Sequence, residues 1–467
     1  MFLHPQDTIC AVSTPPGQGG IAVIRISGGE AFRICSRIFE PATKALSGDG
    51  RGGASISLGR ICRGHEVIDE ALVTVFHAPR SYTGEDTVEI SCHGSLYIQR
   101  EILRLLLLAG CRMAAAGEFT QRAFLNGKLD LSQAEAVGDL IAASSAASHR
   151  VAMQQMRGGF SHELDALRDR LLNFVALVEL ELDFGDEDAA FADRRELKEL
   201  SGQIAAVIRR LADSFGYGNA VKNGIPVAIV GETNAGKSTL LNRLLRDEKA
   251  IVSEVHGTTR DAIEDTVTVD GLLFRLIDTA GIRETNDTVE QMGIERALRK
   301  MEQASVVLWV IDLTGDVRKT GRLAAQIAAR RNGKKLLLIL NKADRLTDGE
   351  RERKTAYYSG WNEEYLVISA REDADIAALE RKLVEAAGIP QIGENDVTVT
   401  SLRHYEALVK ALSAIERVTE GLYSGIFGEF LSQDIRECIS HLNGITGKQI
   451  GTEEVLGNIF GRFCIGK

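Results

Sequence analysis

The chain has no C-x-x-C pair, no excess of positive charge, no long apolar run, and no internal repeat or low-complexity tract. Each absence closes off a class of protein. The seven cysteines, at positions 10, 35, 62, 92, 111, 438 and 464, lack the paired spacing of a structural zinc site. Their odd number and irregular spacing point to reduced thiols in the cytoplasm. A net charge of −10 implies no general polyanion-binding surface, so any nucleic-acid contact needs a local basic patch or a partner protein. Leu105 to Ala109, the longest apolar run near the front, is far too short to cross a bilayer, and no membrane association is expected. The first residues show no charged stretch followed by an apolar core, so no signal peptide is expected either. What is present is a chain of 467 residues that is 44% hydrophobic, long enough for about two to four domains with cores of their own.

Mixed β and α patterning opens the chain. Ile21 to Ile26, Ala71 to Phe76 and Thr87 to Cys92 read as strands, rich in β-branched residues and flanked by glycine and proline. Ile98, Ile102 and Leu105 or Leu106 then mark a helix. From Leu131 to about Leu211 the pattern is helical. Ser132 and Glu135 suit a capping box. Leu164, Leu171 and Val178, with Leu167, Phe174 and Leu182, form one apolar stripe, and Leu200, Ile204, Val207 and Leu211 form another. Such stripes are expected to pack as a bundle core. Apolar runs and helical patterns alternate from 222 to about 386, as in an α/β sheet. Helical patterning returns at Tyr405, Leu408, Leu412 and Ile415, at Ile435, Cys438 or Ile439 and Leu442, and at Leu456, Ile459 or Phe460 and Phe463. The simplest topology inserts the α/β segment into a helical domain whose two parts pack together.

Gly231-Glu-Thr-Asn-Ala-Gly-Lys-Ser238 fits G-x-x-x-x-G-K-[ST], with the apolar run Val227 to Val230 before it and a helical pattern after it. Glycines let backbone N–H groups curl around phosphate oxygens, and the helix N-terminus adds partial positive charge. Lys237 can reach the β- and γ-phosphates and Ser238 can ligate Mg²⁺. Gly257-Thr-Thr-Arg-Asp261 can supply a second Mg²⁺ ligand from a threonine. Leu276-Ile-Asp-Thr-Ala-Gly281 is a strand ending in D-x-x-G, from Asp278 through Thr279 and Ala280 to Gly281. Its Asp can hold the metal through water and its Gly N–H can touch the γ-phosphate. Asn341-Lys342-Ala343-Asp344 follows strand Lys335 to Leu340. The Asp344 carboxylate can accept both donors of the guanine N1–H and N2–H₂ edge, a pair that adenine lacks. Ser369-Ala370-Arg371, after strand Tyr365 to Ile368, can offer a backbone N–H to guanine O6. Five elements in order, at suitable spacing, define a site for GTP.

A Ras-like enzyme carries Gln just after D-x-x-G to orient the attacking water. Here the position is Ile282, which cannot polarise water. Asn234 offers one substitute, since its amide oxygen can ligate a monovalent cation beside the phosphates. Glu290, in an acidic stretch from Glu284, can orient a water, or serve as a helix N-terminal carboxylate.

The chain resembles the tRNA modification GTPase family called MnmE or TrmE over nearly its full length. The residues that carry the resemblance are Thr14-Pro-Pro-Gly17, Arg25-Ile-Ser-Gly28, Tyr82-Thr-Gly-Glu-Asp86, Gly117-Glu-Phe-Thr120 and Arg122-Ala-Phe-Leu-Asn126. The phosphate loop with its Asn, the 257–261 loop, Asp278-Thr-Ala-Gly-Ile-Arg283 and the tail Phe463-Cys-Ile-Gly-Lys467 match as well. The resemblance implies a multidomain α/β plus all-α fold. An N-terminal α+β folate-binding-like domain (1–122) would precede a discontinuous helical bundle (123–220 and 387–467), with an inserted Ras-like P-loop GTPase domain (221–386). It implies a K⁺-dependent GTPase whose G domains dimerise for hydrolysis, in a homodimer held through the N-terminal domain.

By position, Asn234, Ser253, Val255 and Thr258 would surround K⁺, Ser238 and Thr259 would hold Mg²⁺, and Glu290 would orient water, with Lys237 and Asn234 completing the catalytic set. GTP or GDP would meet Asn234, Ala235, Gly236, Lys237, Ser238 and Thr239, then Ser253, Glu254, Val255, His256, Gly257, Thr258 and Thr259, besides the D-x-x-G and base-reading residues. Arg25, Glu89, Lys128 and Lys467 would bind 5-formyl- or methylene-tetrahydrofolate, Glu89 accepting the pterin-like donor pair and the cations meeting glutamyl carboxylates. The implied partners are an FAD-binding protein, MnmG or GidA, and tRNA bound largely with it. Together they would add a carboxymethylaminomethyl or aminomethyl group at C5 of the wobble uridine. Two rivals differ in class. A ribosome-assembly GTPase of the Era or Der kind shares the Ile after D-x-x-G but needs an RNA-binding domain after the G domain, where this chain is helical. A folate-dependent one-carbon transferase would use its GTPase only for regulation.

Overall fold

The computed structural model describes residues 7–42, 54–183, 194–245, 265–277, 301–331, 333–390, 393, 396–424, 429–448, 463 and 466. Its contacts divide the chain into two units, 1–141 with 155–204 and 410–467, and 142–154 with 205–409.

The first unit opens with β1 (Ile9–Val12), β2 (Gly19–Ser27), α1 (Ala31–Cys35), β3 (Phe39–Pro41), β4 (Ala54–Arg63), β5 (Glu66–Phe76), β6 (Thr87–Gly94), α2 (Leu96–Ala109) and β7 (Arg112–Met113). The strands form one sheet in the order β3-β4-β5-β6-β2-β1-β7. All neighbours are antiparallel except β1 and β7. Pro41 sits on the edge strand, where a missing N–H costs no ladder bond. Side chains alternate faces along each strand, so Ile24, Ile26, Val73, Val75, Val88 and Ile90 bury one face. Ala31 and Ile34 of α1 and Ile102, Leu105 and Leu106 of α2 cover it. The expected strands at 21–26, 71–76 and 87–92 lie inside β2, β5 and β6.

Helices follow: α3 (Glu118–Leu125), α4 (Leu131–Ala142), α5 (Ala146–Met156), α6 (Gly159–Asp183), α7 (Arg194–Asp213) and α8 (Phe215–Asn223). The stripe Leu164, Leu167, Leu171, Phe174 and Val178 of α6 is buried. On α7 the expected stripe needs correction. Ile204 and Leu211 are buried, but Leu200 and Val207 are only half-buried, and Leu197 and Ile208 take their places. The helix is rolled so that Ser201 faces inward, where its hydroxyl meets that of Thr419 at 3.1 Å. The capping box also moves. Asp130 Oδ1 accepts the N–H of Gln133 at 2.9 Å, while Gln133 Oε1 accepts the N–H of Asp130 at 2.9 Å. The reciprocal pair is therefore Asp130 and Gln133, two residues before the expected Ser132 and Glu135. Ser132 instead donates to the Asp130 carboxylate at 2.8 Å.

The second sheet contains β8 (Ile225–Val230), β9 (Asp265–Val269), β10 (Leu272–Ile277), β11 (Val306–Asp312), β12 (Lys335–Asn341) and β13 (Glu364–Val367) in the order β13-β12-β11-β8-β10-β9. Only the β9–β10 edge hairpin is antiparallel. Both faces are buried, as continuous apolar strands require. Val306, Leu308 and Val310 face α9 (Lys237–Leu244) and α12 (Asp373–Ala387) through Leu240, Leu241, Leu379 and Leu383. Val307, Trp309 and Ile311 face α10 (Val317–Arg330) and α11 (Asp348–Ser359) through Leu323, Ile327 and Tyr358. The chain then runs into α13 (Leu402–Ser424) and α14 (Glu429–Thr446). Helices from before and after this sheet touch within the first unit, where Glu179 of α6 accepts from Ser432 at 2.9 Å and pairs with Arg436 at 2.5 Å on α14.

Candidate nucleotide site and a second charged cluster

β8 delivers the phosphate loop at its carboxyl end. At Gly231 (φ 153°) a Cβ would lie 2.2 Å from the Val310 carbonyl oxygen, and at Gly236 (φ 100°) one would lie 2.1 Å from Asn341 Nδ2. Glycine is thus required by close approach as well as by conformation. Asn234 sits at φ 63° with its side chain exposed. Lys237 opens α9 and turns back over the loop, donating to the carbonyl oxygens of Gly231 at 2.8 Å and Glu232 at 2.6 Å. Burial pulls its pKa below the usual lysine value against the opposing pull of Glu232. Ser238 is half-buried in the first turn of α9, and Thr239 is exposed.

The ends of β11 and β12 lie in register, Asp312 opposite Asn341. Asn341 is 3% exposed and links two loops. Its Nδ2 donates to the Ala235 carbonyl oxygen at 2.8 Å, and its Oδ1 accepts the Ala370 N–H at 3.0 Å. Within the Ser369-Ala370-Arg371 segment expected to offer a backbone N–H to guanine O6, the Ala370 N–H is given to Asn341. Lys342, at φ 66°, pairs with Asp312 at 2.6 Å. Burial raises the Asp312 pKa, but Lys342 and both donors of Thr314 outweigh it and hold the carboxyl below the usual range. Ala343 donates its N–H to the Ile368 oxygen at 3.1 Å, tying the base-reading segments together. Asp344 is exposed on a single 3₁₀ turn (Ala343–Arg345), and Arg371 is exposed as well. Ser369 is buried, its N–H donated to Asp375 at 2.7 Å. Neither Asp312 nor Asp375 was singled out from sequence. The first could have been found as the acid closing the run Val306 to Ile311.

Ser253, Glu254, Val255, His256, Gly257, Thr258, Thr259, Asp278, Thr279, Ala280, Gly281, Ile282, Glu290, Cys464 and Lys467 lie outside the described residues.

In the first unit, Arg25 of β2 stands opposite Glu89 of β6. Its Nε and second guanidinium nitrogen lie 2.9 and 2.8 Å from Glu89 Oε1, leaving Oε2 outside the pair. The guanidinium lies 5.2 Å from the Tyr82 ring centre and 5.6 Å from that of Phe119. Lys128 Nζ donates to the Pro79 oxygen at 3.1 Å. Gly466 comes to the end of β1, where its carbonyl accepts Ser13 Oγ at 3.0 Å.

Beneath this lies a buried ionic network. Ser27 donates to Glu85 at 2.7 Å, Arg122 meets Glu85 at 3.1 Å and Glu118 at 3.0 Å, and Arg112 meets Glu118 at 2.7 Å. Glu118 is 0% and Arg122 5% exposed. Tyr82 Oη and Thr120 Oγ1 lie 2.9 Å apart, and Asn126 donates to the Thr83 oxygen at 2.8 Å. Residues from 25–28, 82–86, 117–120 and 122–126, far apart in sequence, thus meet in one cluster.

A parallel sheet with one antiparallel edge hairpin, a phosphate loop after the central strand β8, and Asn-Lys-x-Asp and Ser-Ala segments after the adjacent strands β12 and β13 define a P-loop nucleotide-binding protein of the GTPase class. Comparison with known proteins narrows the class. Residues 131–464 match the MnmE helical domain and residues 8–128 the GTP-binding protein TrmE N-terminus. The tRNA modification GTPase MnmE of Bacteroides thetaiotaomicron is 55% identical over 465 residues, 99% of this chain and 100% of that protein. The proteins of the same name from Parabacteroides distasonis and Flavobacterium johnsoniae are 54% and 50% identical, covering 98% and 99% of this chain and 100% and 99% of their own lengths. The chain belongs to the MnmE family of tRNA modification GTPases.

Proposed function

We propose that this chain hydrolyses GTP to GDP and phosphate to drive modification of the tRNA wobble uridine, in the cytoplasm. In this reading it acts with an FAD-binding MnmG partner and a tetrahydrofolate-derived one-carbon unit, adding a carboxymethylaminomethyl or aminomethyl group at C5. Among the described residues no helix is long and apolar enough to cross a membrane. The observation that carries the GTP reading is Asn341, which joins the phosphate loop at Ala235 to the base-reading loop at Ala370. A triphosphate and a guanine would thereby be gripped by one connected frame.

Two of the expected ion ligands, Ser238 and Asn234, are among the described residues, and their chemistry suits the ions. Ser238 presents a hydroxyl beside Lys237 at the start of α9, and Asn234 presents an exposed amide at the loop's left-handed turn, both oxygen donors suited to hard cations. Ser238 and Thr259 would hold Mg²⁺, and Asn234, Ser253, Val255 and Thr258 would hold K⁺; such ions would supply positive charge beside the phosphates. Lys237, now on two carbonyl oxygens, has the reach to exchange them for phosphate oxygens. Glu290 orients the attacking water.

The residues of the first unit fit a folate in part. Arg25 and Lys128 flank the Tyr82–Gly84 turn, a Cβ on Gly84 standing 3.2 Å from Lys128 Cγ. Glu89 keeps one oxygen outside its pair with Arg25 for a pterin N–H. Gly466, next to Lys467, lies at the end of the strand neighbouring β2. The homodimer reading rests on the sheet face away from α1 and α2. There Leu58 and Leu72 stand opposite each other and, with Ile56, are 56%, 47% and 69% exposed, an apolar face that a second copy would cover. We read the second sheet, with its flanking helices, as a G domain inserted between two halves of one helical domain.

The test is GTP hydrolysis in K⁺ against Na⁺, with wild type and Asn234→Ala. Wild type should be stimulated by K⁺ alone, and the variant should lose the stimulation while still binding GTP. Equal rates in all four reactions would end the cation reading. Wobble uridines still carrying the C5 modification in a deletion strain would end the tRNA reading.

A further inference from the structure

Two anchors hold the loop Ser369-Ala370-Arg371, and they come from opposite sides. Asn341 takes the Ala370 N–H at 3.0 Å from the phosphate-loop side. Asp375, the third residue of α12, takes the Ser369 N–H at 2.7 Å from the helix side. Ser369 closes the turn by accepting the Glu372 N–H at 2.9 Å. The same first turn of α12 is tied to the phosphate-loop helix, because Asp373 pairs with Arg243 of α9. The two consecutive anchored N–H groups fix the planes of the peptides that precede and follow the Ser369 Cα. The loop's remaining backbone donors are then aimed by geometry and not by a ligand side chain.

We infer that Asp375 is the positioning residue for the loop that meets guanine O6, and so a determinant of base selectivity. This rests on the GTP reading above and deepens it. Asp344 serves a different edge of the base, N1–H and the 2-amino group, so the two acids divide the recognition of guanine. An ionised acceptor suits the task, since a charge-assisted bond to a backbone N–H is stronger and more directional than a neutral one. Asp375 touches no ligand in this arrangement; it acts through the backbone that does.

The nucleotides that separate the edges are GTP and 6-thio-GTP. The second keeps both donors that face Asp344 and replaces O6 by sulfur, a weak acceptor. Affinities would be measured by competition against a fluorescent GDP derivative on the full chain, with melting curves for each variant. Asp375→Ala should weaken GTP roughly tenfold, the loss of about one charge-assisted hydrogen bond. It should change 6-thio-GTP by less than about twofold, so that the preference for GTP collapses. Asp375→Asn keeps an acceptor for Ser369 N–H and should restore most of the GTP affinity and the preference. Equal weakening of both nucleotides by Asp375→Ala, or an Asn variant as impaired as the Ala variant, would overturn the inference. The first would make Asp375 general scaffolding and the second would leave only its charge at a helix N-terminus. Wild type that bound neither nucleotide would instead bring down the GTP reading beneath it.

Discussion

The two sheets handle charge in opposite ways. The first buries it. Glu118, Arg122, Ser27 and Thr83 lie inside the unit, paired with one another and with Arg112 and Glu85. The second sheet keeps its strands apolar, with Val306 to Ile311 buried on both faces, and places its polar groups at the carboxyl ends. There Lys237 is held by backbone carbonyls, Lys342 by the Asp312 carboxylate, and Asp344 stands exposed. Similar charged motifs therefore carry different duties. In the first unit the Thr-Gly-Glu-Asp and Gly-Glu-Phe-Thr segments pair with one another in the interior, whereas in the second the Gly-Lys-Ser and Asn-Lys-Ala-Asp segments are gathered at the carboxyl ends of the strands.

The largest expected effect breaks the first half of this contrast. Arg122→Ala removes the guanidinium that Glu118 and Glu85 share, leaving Glu118 with Arg112 alone as a charged partner and Glu85 with the Ser27 hydroxyl, a partial loss of a buried pair at the low end of its usual cost, about 3 kcal/mol. A melting temperature lowered by only a degree or two would show that the network is ornamental. The same network predicts an acid limb. Burial pushes the Glu118 pKa up, but Arg112, the Ala115 N–H and Arg122 together hold it below the usual carboxylate value. A depressed carboxylate stabilises fully above its unfolded pKa of about 4.3. That stability is lost as pH falls through the lower, folded value. Melting curves should therefore fall off in that acid range, and Glu118→Gln should flatten the slope there while lowering stability near neutrality.

A smaller effect sharpens the other half. Asn341→Ala removes the link between Ala235 and Ala370 and leaves a buried carbonyl and N–H unpaired, at roughly 1–3 kcal/mol each. Because these groups frame a site, guanine nucleotide affinity should drop at least about tenfold, for a loss of about 1.4 kcal/mol or more. Affinity measured by titration beside thermal melting separates the two costs. A variant that melts early but binds normally would place Asn341 with the structural group and erase the contrast.

How much of this was legible follows the same division. The phosphate loop, β12 and β13 were readable because their motifs demand a strand before a turn, and that order survives in the fold. Asp312 and Asp375 were not, since their partners, Lys342 and the Ser369 N–H, are set by register and by the path of a turn. In the first unit Arg25 and Glu89 were read as ligand residues, but only the β2–β6 register reveals that they face each other. β4 escaped notice because Ala54-Ser-Ile-Ser-Leu-Gly59 mixes small residues with apolar ones that point outward. β7, two residues long, exists only because β1 offers it a partner.

The smallest expected effect tests a case where local chemistry, not register, misled. Ser-x-x-Glu is a capping signature, yet α4 begins two residues earlier than a cap at Ser132 allows, at Leu131, directly after Asp130. An Asp at the cap accepts the Gln133 N–H with a charged oxygen, and Ser132 is drawn into supporting it. Asp130→Ala should then cost about 1 kcal/mol, the ordinary value of a lost cap. Glu135→Gln should leave the helix start unaffected, because position 133 already supplies the reciprocal bond. Nucleotide affinity should be unchanged in both variants, as the cap lies in the first unit and the phosphate loop in the second. A larger loss from Glu135→Gln than from Asp130→Ala would restore the original box and move the helix start.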